Sequence, residues 1–484
     1  MLNFRFIVKM LGSMFILETI FMLMAAGVAF FYGEGDFYPL LISSVILFGF
    51  GLVFYLTGRK ANEFAAGRRE GMIIVTLTWS LLSLFGMLPF LLGGYIGTVT
   101  DAYFETMSGF TSSGGSILRD IEALPKGILF WRSLTQWQGG IGVVVFTVAL
   151  LPIFGGGASQ MFDAETTGIT HERFRPRVAQ AAKRLSGLYF LFTLLCTLFL
   201  WAGPMELYDA VNHALTTVST GGYSTKNDSI AYWDSAYIEY VVMAFMFVGS
   251  LNMALLYLSF RGNPRKIIDD EEFRWFFFFV LIFIGITTTW VIYNGFIEGT
   301  GNALRISAFQ IISLISSCGF AVTDYIPWGP FFWLIALTLM FVGGCAGSTS
   351  GGLKMGRFVV VNKNLSNVFL KQTHPNAVLP VRMNGRVVSG EVVHRIMAFA
   401  FIYIALILTS CLILTLDGVG FEESLGATIS SISNIGPGLG EVGSVGSYAD
   451  MPTISKWFLS FLMMVGRLEI FTVLTILLPG FWKQ

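Results

Sequence analysis

The sequence predicts an all-α integral membrane protein with four helix/pore-loop/helix repeats in a pseudo-fourfold arrangement around one pore. Two extra N-terminal helices bring the total to about ten spanning helices. Three observations predict this. The 484-residue chain is 54% hydrophobic and only 12% charged, about half the charge usual in a soluble domain, and its mean hydropathy is +0.70. Apolar runs such as Met10 to Phe31, Pro39 to Thr57, Leu185 to Trp201 and Trp275 to Tyr293 are long enough to cross a hydrocarbon core of roughly 30 Å at 1.5 Å per residue. A small-residue turn recurs four times.

The first two runs form the N-terminal pair. The first follows Arg5 and Lys9 and contains small residues near Ala25 to Ala29, as a signal peptide does, but it exceeds the usual apolar length of roughly 7 to 15 residues. It reads as a spanning helix.

Each repeat then has a spanning helix, an amphipathic stretch too short to cross, a glycine-containing turn and another apolar helix. The turns are Thr111-Ser112-Ser113-Gly114-Gly115, Val218-Ser219-Thr220-Gly221-Gly222, Ser316-Ser317-Cys318-Gly319-Phe320 and Ser433-Asn434-Ile435-Gly436-Pro437. Gly114, Gly221, Gly319 and Gly436 are read as one repeated position. A second marker follows 24 to 30 residues later: Gly139, Gly249, Gly343 and Gly466. Two markers in fixed order, four times, identify a repeat. The predicted units are residues 1–66 for the helical pair, then 67–160, 161–262, 263–370 and 371–484 for the four repeats.

Charge gives orientation. Basic residues concentrate at the N-terminus, Arg59 to Arg69, Arg173 to Arg184, Arg261 to Lys266, Lys354 to Arg395 and Lys483, whereas Gly33 to Asp36 and Tyr448 to Met451 carry none. The positive-inside rule places the basic set and both termini in the cytoplasm. That agrees with four turns dipping back from the outer face.

Irregular backbone at membrane depth must be buried in protein or line a watery cavity, so the four turns are expected to converge. A ring of their carbonyl oxygens can replace the water shell of a potassium ion. The short helices before them, Thr98 to Phe110, Glu206 to Val218, Asn302 to Ile315 and Phe421 to Ile432, would aim their negative dipole ends at the cation. Glycine at the shared position takes positive φ and keeps the lumen clear of side chains. The predicted potassium-binding residues are Thr111, Ser112, Ser113 and Gly114; Ser219, Thr220 and Gly221; Ser317, Cys318 and Gly319; and Asn434, Ile435 and Gly436. Nine places before each glycine stand Glu105, Asn212, Gln310 and Ala427, candidates to brace the loops in an uneven pattern.

The second helix of repeat three is interrupted by Gly343, Gly344, Cys345, Ala346, Gly347, Ser348, Thr349, Ser350, Gly351, Gly352, Leu353 and Lys354. Each glycine costs a helix about 1 kcal/mol relative to alanine, so a break is predicted there, and it reads as a gate. A nucleotide P-loop needs GxxxxGK[ST]; Leu353 separates Gly352 from Lys354 and Met355 follows, so that pattern fails. Arg467 stands in the fourth repeat's apolar helix, where an ionised residue is a candidate functional group. It would place a positive barrier below the filter, or pair with Glu469 or buried carbonyls. Glu18 reads as a packing carboxylate.

Other classes find little support. Cys196, Cys318, Cys345 and Cys411 show no CxxC spacing, and His171, His213, His374 and His394 no ligand spacing. No nucleophile, base or metal constellation suggests an enzyme, no nucleic-acid surface is apparent, and no cofactor is predicted beyond potassium as substrate. A proton- or sodium-coupled symporter would need ionisable residues along the path; that reading and a less selective potassium, rubidium and sodium channel are the alternatives.

The four turns, the segment Gly343 to Lys354 and Arg467 resemble the bacterial Trk/Ktr potassium transporter superfamily, and the likeness covers nearly the whole chain. The two extra N-terminal helices match its larger membrane subunits. The resemblance implies potassium uptake across the bacterial inner membrane, a homodimer with one pore per subunit, and a cytoplasmic ring of TrkA-type nucleotide-binding subunits acting on the loop and on Arg467. Against that pattern, Cys318 before the third glycine and Pro437 after the fourth make the turns degenerate, which implies modest ion discrimination.

Overall fold

The computed structural model describes residues 2–61, 67–150 and 174–483. The end of the first predicted repeat, His171, Arg173 and part of the basic segment Arg59 to Arg69 lie outside the described residues. Among the described residues, six helices are long and apolar enough to cross a bilayer: Phe4–Tyr32, Phe37–Gly58, Arg69–Leu92, Gln180–Trp201, Glu271–Tyr293 and Gly390–Leu416. Lys126–Leu150 is the second helix of repeat one. In the other three repeats the second helix is broken: Ala236–Gly249 bends 103° into Met253–Phe260, Thr453–Arg467 bends 118° into Ile470–Leu477, and Gly329–Val342 gives way to a loop before Met355–Thr373.

The sequence predicted a break only in repeat three. The breaks in repeats two and four follow the same glycine marker, and their local cause is visible. Asn252 starts a new helix by accepting the N–H groups of Ala254 and Leu255 at 2.9 and 3.2 Å, a side-chain cap that satisfies otherwise orphaned donors. Glu469, at φ +65°, turns the chain at the second break.

The N-terminal pair packs backbone against backbone. A Cβ on Gly12 would overlap the backbone of Tyr55, and one on Gly58 would overlap that of Lys9, so small residues permit a close approach that lipid-exposed helices need for association. Polarity is inverted relative to a soluble protein. Phe30, Phe278, Phe401 and Leu412 are more than half exposed, while Ser108, Thr216, Thr217, Ser313 and Ser430 are buried. One departure from all-helical structure lies in the basic segment after Met355–Thr373: Arg382–Met383 pairs antiparallel with Arg386–Val387. Its turn is Asn384-Gly385, both at positive φ, the conformation a two-residue hairpin requires.

Candidate functional site

Four short helices, Val99–Phe110, Leu207–Val218, Thr300–Ile315 and Phe421–Ser433, end within two residues of their predicted bounds and end alike. Just past each, Ser112, Thr220, Ser317 and Asn434 adopt left-handed backbone at φ 52° to 55°. The next residue donates its N–H back five places: Ser113 to Ser108, Gly221 to Thr216, Cys318 to Ser313 and Ile435 to Ser430, at 2.8 to 3.1 Å. This is a Schellman closure, with a non-glycine residue in a conformation that costs roughly 1–2 kcal/mol.

A second left-handed residue follows two places on: Gly114, Gly222, Gly319 and Gly436, at φ 82°, 78°, 83° and 100°. Left-handed residues spaced in this way gather N–H groups on one face of the backbone and carbonyl oxygens on the other. The shared glycine of repeat two is therefore Gly222, and Gly221 stands with Ser113, Cys318 and Ile435. The sequence placed it one residue early because Thr220-Gly221-Gly222 offers two glycines, and only backbone conformation separates them.

The turns close into a ring. A Cβ on Gly114 would overlap the carbonyl oxygen of Gly221, one on Gly222 that of Cys318, one on Gly319 that of Ile435, and one on Gly436 that of Ser113. Each repeat thus presses its glycine on the next repeat's carbonyl, in the order one, two, three, four, one. Glycine is required twice here, for its φ and for this approach.

Bracing follows the corrected register. Glu105, buried, accepts from Ser116 Oγ at 3.0 Å and from the Ile117 N–H at 3.0 Å, and pairs with buried Arg132 at 2.8 Å. Nine places before Gly222 stands His213, not Asn212; its Nε2 lies 3.0 Å from Ser224 Oγ. Gln310 Nε2 donates to Thr323 O at 2.9 Å. Asn212 instead bonds its own helix at Tyr208 O. Sequence reasoning missed Gln136, whose Nε2 donates to Gly221 O at 2.7 Å while its Oε1 accepts the Tyr223 N–H at 3.0 Å. A signal existed: three places before each helix glycine, repeats two, three and four carry Met246, Met340 and Met463, and repeat one carries Gln136.

The segment Gly343 to Lys354 lies against the ends of the short helices. Thr349 Oγ1 is 3.1 Å from Gly249 O and 3.3 Å from Thr220 Oγ1 in repeat two. The Gly351 N–H donates to Ser317 Oγ in repeat three at 2.6 Å, and a Cβ on Gly351 would overlap Ser433 O in repeat four. Arg467 completes the set: Nη1 donates to Thr349 O at 2.7 Å and Nη2 to Ser112 Oγ in repeat one at 3.1 Å. The loop and Arg467 together touch all four repeats. Of the two partner types expected for Arg467, the structure supplies a buried carbonyl and not Glu469, which pairs with Arg357 at 2.6 Å. Glu18 is buried and accepts from Gln138 Nε2 at 3.2 Å.

The loop is held at its base by a residue absent from the sequence reading. Glu272 Oε1 accepts the N–H of Ala346 at 2.6 Å and that of Gly356 at 2.8 Å, one near each end of the interruption. Lys354, at φ +79°, donates to Ser350 O within the loop.

Six apolar helices of membrane-spanning length among the described residues, or eight counting the two bent pairs, with a closed ring of four backbone turns, define a multi-pass membrane protein of the cation-transport class. The sequence model of the TrkH family, described as cation transport protein, matches residues 41–480, and the chain belongs to that family. It is 32% identical over 486 residues to the Trk system potassium uptake protein TrkH of Salmonella typhimurium, covering all of both chains. It is 33% identical to TrkH of Halomonas elongata, again over the full length of both. The crystal structure of the potassium transporter TrkH from Vibrio parahaemolyticus superimposes with a TM-score of 0.92 at 31% identity, covering both chains completely.

Proposed function

We propose that this chain carries potassium into the bacterial cell across the inner membrane, through a filter formed by the four turns and gated by Gly343 to Lys354 with Arg467. The observation that carries the reading is the ring itself: four turns with one backbone conformation, each glycine against the next repeat's carbonyl. Such a ring exchanges an ion's hydration for backbone oxygens. The relatives named as potassium uptake proteins support potassium as the cargo. In this reading the filter oxygens belong to 111–114, 219–222, 317–319 and 434–436, and the units divide at 66, 160, 262 and 370. Both termini are cytoplasmic, two copies form a homodimer, and TrkA-type nucleotide-binding subunits dock on the basic face; the word "system" in the relatives' names fits a multicomponent assembly.

Coupled symport is less well supported by the site. The turn residues are uncharged, and Glu105, the buried carboxylate of the short helix before the first turn, is committed to Arg132. The test is ion flux in liposomes with wild-type protein and Gly114→Ser. Wild type should pass potassium down its gradient without proton or sodium movement. The serine Cβ falls on Gly221 O in a left-handed conformation costing roughly 1–2 kcal/mol, so discrimination against sodium should collapse. Potassium flux that requires a proton gradient would favour symport; no flux from properly inserted wild type with its regulator present would remove the proposal.

A further inference from the structure

The four glycine carbonyls of the ring are chemically unequal. Those of Gly114, Gly222 and Gly319 accept no hydrogen bond among the described residues, whereas Gly436 O accepts two, from Ser430 Oγ and Tyr448 Oη, each at 2.8 Å. A carbonyl oxygen has two lone pairs, and here both are engaged by protein. The two donors are held in place. Tyr448 is 2% exposed, its N–H donates to Ser116 O at 2.9 Å, its ring lies against Gly115, where a Cβ would meet it, and the Phe104 ring packs at 5.2 Å.

Ser430 stands six places before its glycine, as Ser108, Thr216 and Ser313 do in the other repeats. Those three hydroxyls go elsewhere. Ser313 Oγ donates to Phe320 O at 2.6 Å, Thr216 Oγ1 turns back on its own helix toward Asn212 O, and Ser108 Oγ has no partner among the described residues. Only in the fourth repeat does this hydroxyl reach the glycine carbonyl.

We infer that the filter offers three backbone oxygens at the level of its glycine carbonyls, the fourth wall being closed to the ion by Ser430 and Tyr448. These two residues thereby set ion selectivity. The inference rests on the reading of the ring as a filter. A cation at this level keeps water on the repeat-four side, so its hydration is only partly exchanged. Discrimination between potassium and sodium depends on the number and strength of carbonyl dipoles around the ion, and a three-sided level discriminates less than a four-sided one.

Two measurements test this on the full-length protein. In crystals of wild type soaked in rubidium, anomalous density should lie within coordinating distance of the Gly114, Gly222 and Gly319 oxygens and out of reach of Gly436 O. In liposomes, the Ser430→Ala/Tyr448→Phe double variant should raise the potassium-to-sodium flux ratio by on the order of fivefold, the scale of one net polar contact, with each single variant giving less because one bond remains. Four equidistant glycine oxygens in wild type, or an unchanged or lowered ratio in an active double variant, overturns the inference. Should the double variant fail to fold, the wild-type crystal decides alone. Rubidium absent from every level of the ring refutes the filter reading itself, whereas rubidium bound there with Gly436 O as a ligand refutes only this inference.

Discussion

Glu272→Ala should open the pore. Glu272 is 4% exposed, and a single oxygen, Oε1, accepts the N–H groups of Ala346 and Gly356, so one carboxylate fastens both ends of the loop to the start of helix Glu271–Tyr293. Hydrogen bonds to a charged group contribute roughly 1.5–3 kcal/mol each. Removing two gives about 3–6 kcal/mol; with water replacing part of each lost bond, about 2 kcal/mol remains at the loop. At 1.4 kcal/mol per decade, the equilibrium between fastened and released loop shifts about thirtyfold. Glu272→Gln keeps an oxygen in the same place without the charge, so its shift should fall between wild type and alanine. The assay is rubidium-86 uptake into liposomes holding each purified variant without regulatory subunits, normalised to inserted protein. A folded Glu272→Ala with wild-type flux, or a glutamine variant leakier than alanine, would refute the idea that this carboxylate holds the gate.

Other contacts give separate outcomes. Deleting residues 347–351, or changing Arg467 to Ala, should raise basal flux in the same assay, because either change removes the Arg467 to Thr349 O bond; unchanged flux in folded protein excludes the loop as a gate. Gln136→Met, which copies the residue of the other three repeats, releases Gly221 O and leaves the Tyr223 N–H unpaired. It should cost about 1–3 kcal/mol in a thermal unfolding assay. Arg132→Met strands the buried Glu105 carboxylate, which costs about 3–5 kcal/mol; a lower melting temperature is expected, largely recovered in Arg132→Met/Glu105→Leu.

The fold was legible to the extent that its causes are local. Hydrocarbon thickness sets how long an apolar run must be, so the helices at Phe37–Gly58 and Glu271–Tyr293 could be read from one stretch of residues each. The breaks after Gly249 and Gly466 were less visible because Asn252 and Glu469 are single residues, whereas the glycine run at 343–352 announces itself.

By itself the sequence determined the membrane class, the repeat number, the ends of the four short helices, and the prominence of the interrupted segment and Arg467. Tertiary structure alone decided which glycine of Gly221-Gly222 takes positive φ, that Arg467 reaches Thr349 rather than Glu469, and that Gln136, Glu272, Ser430 and Tyr448 act on the loops. The physical reason is range. Apolar length and glycine propensity act within a few residues, while a hydrogen bond joining positions 136 and 221, or 349 and 467, exists only after packing has brought distant segments within 3 Å of each other.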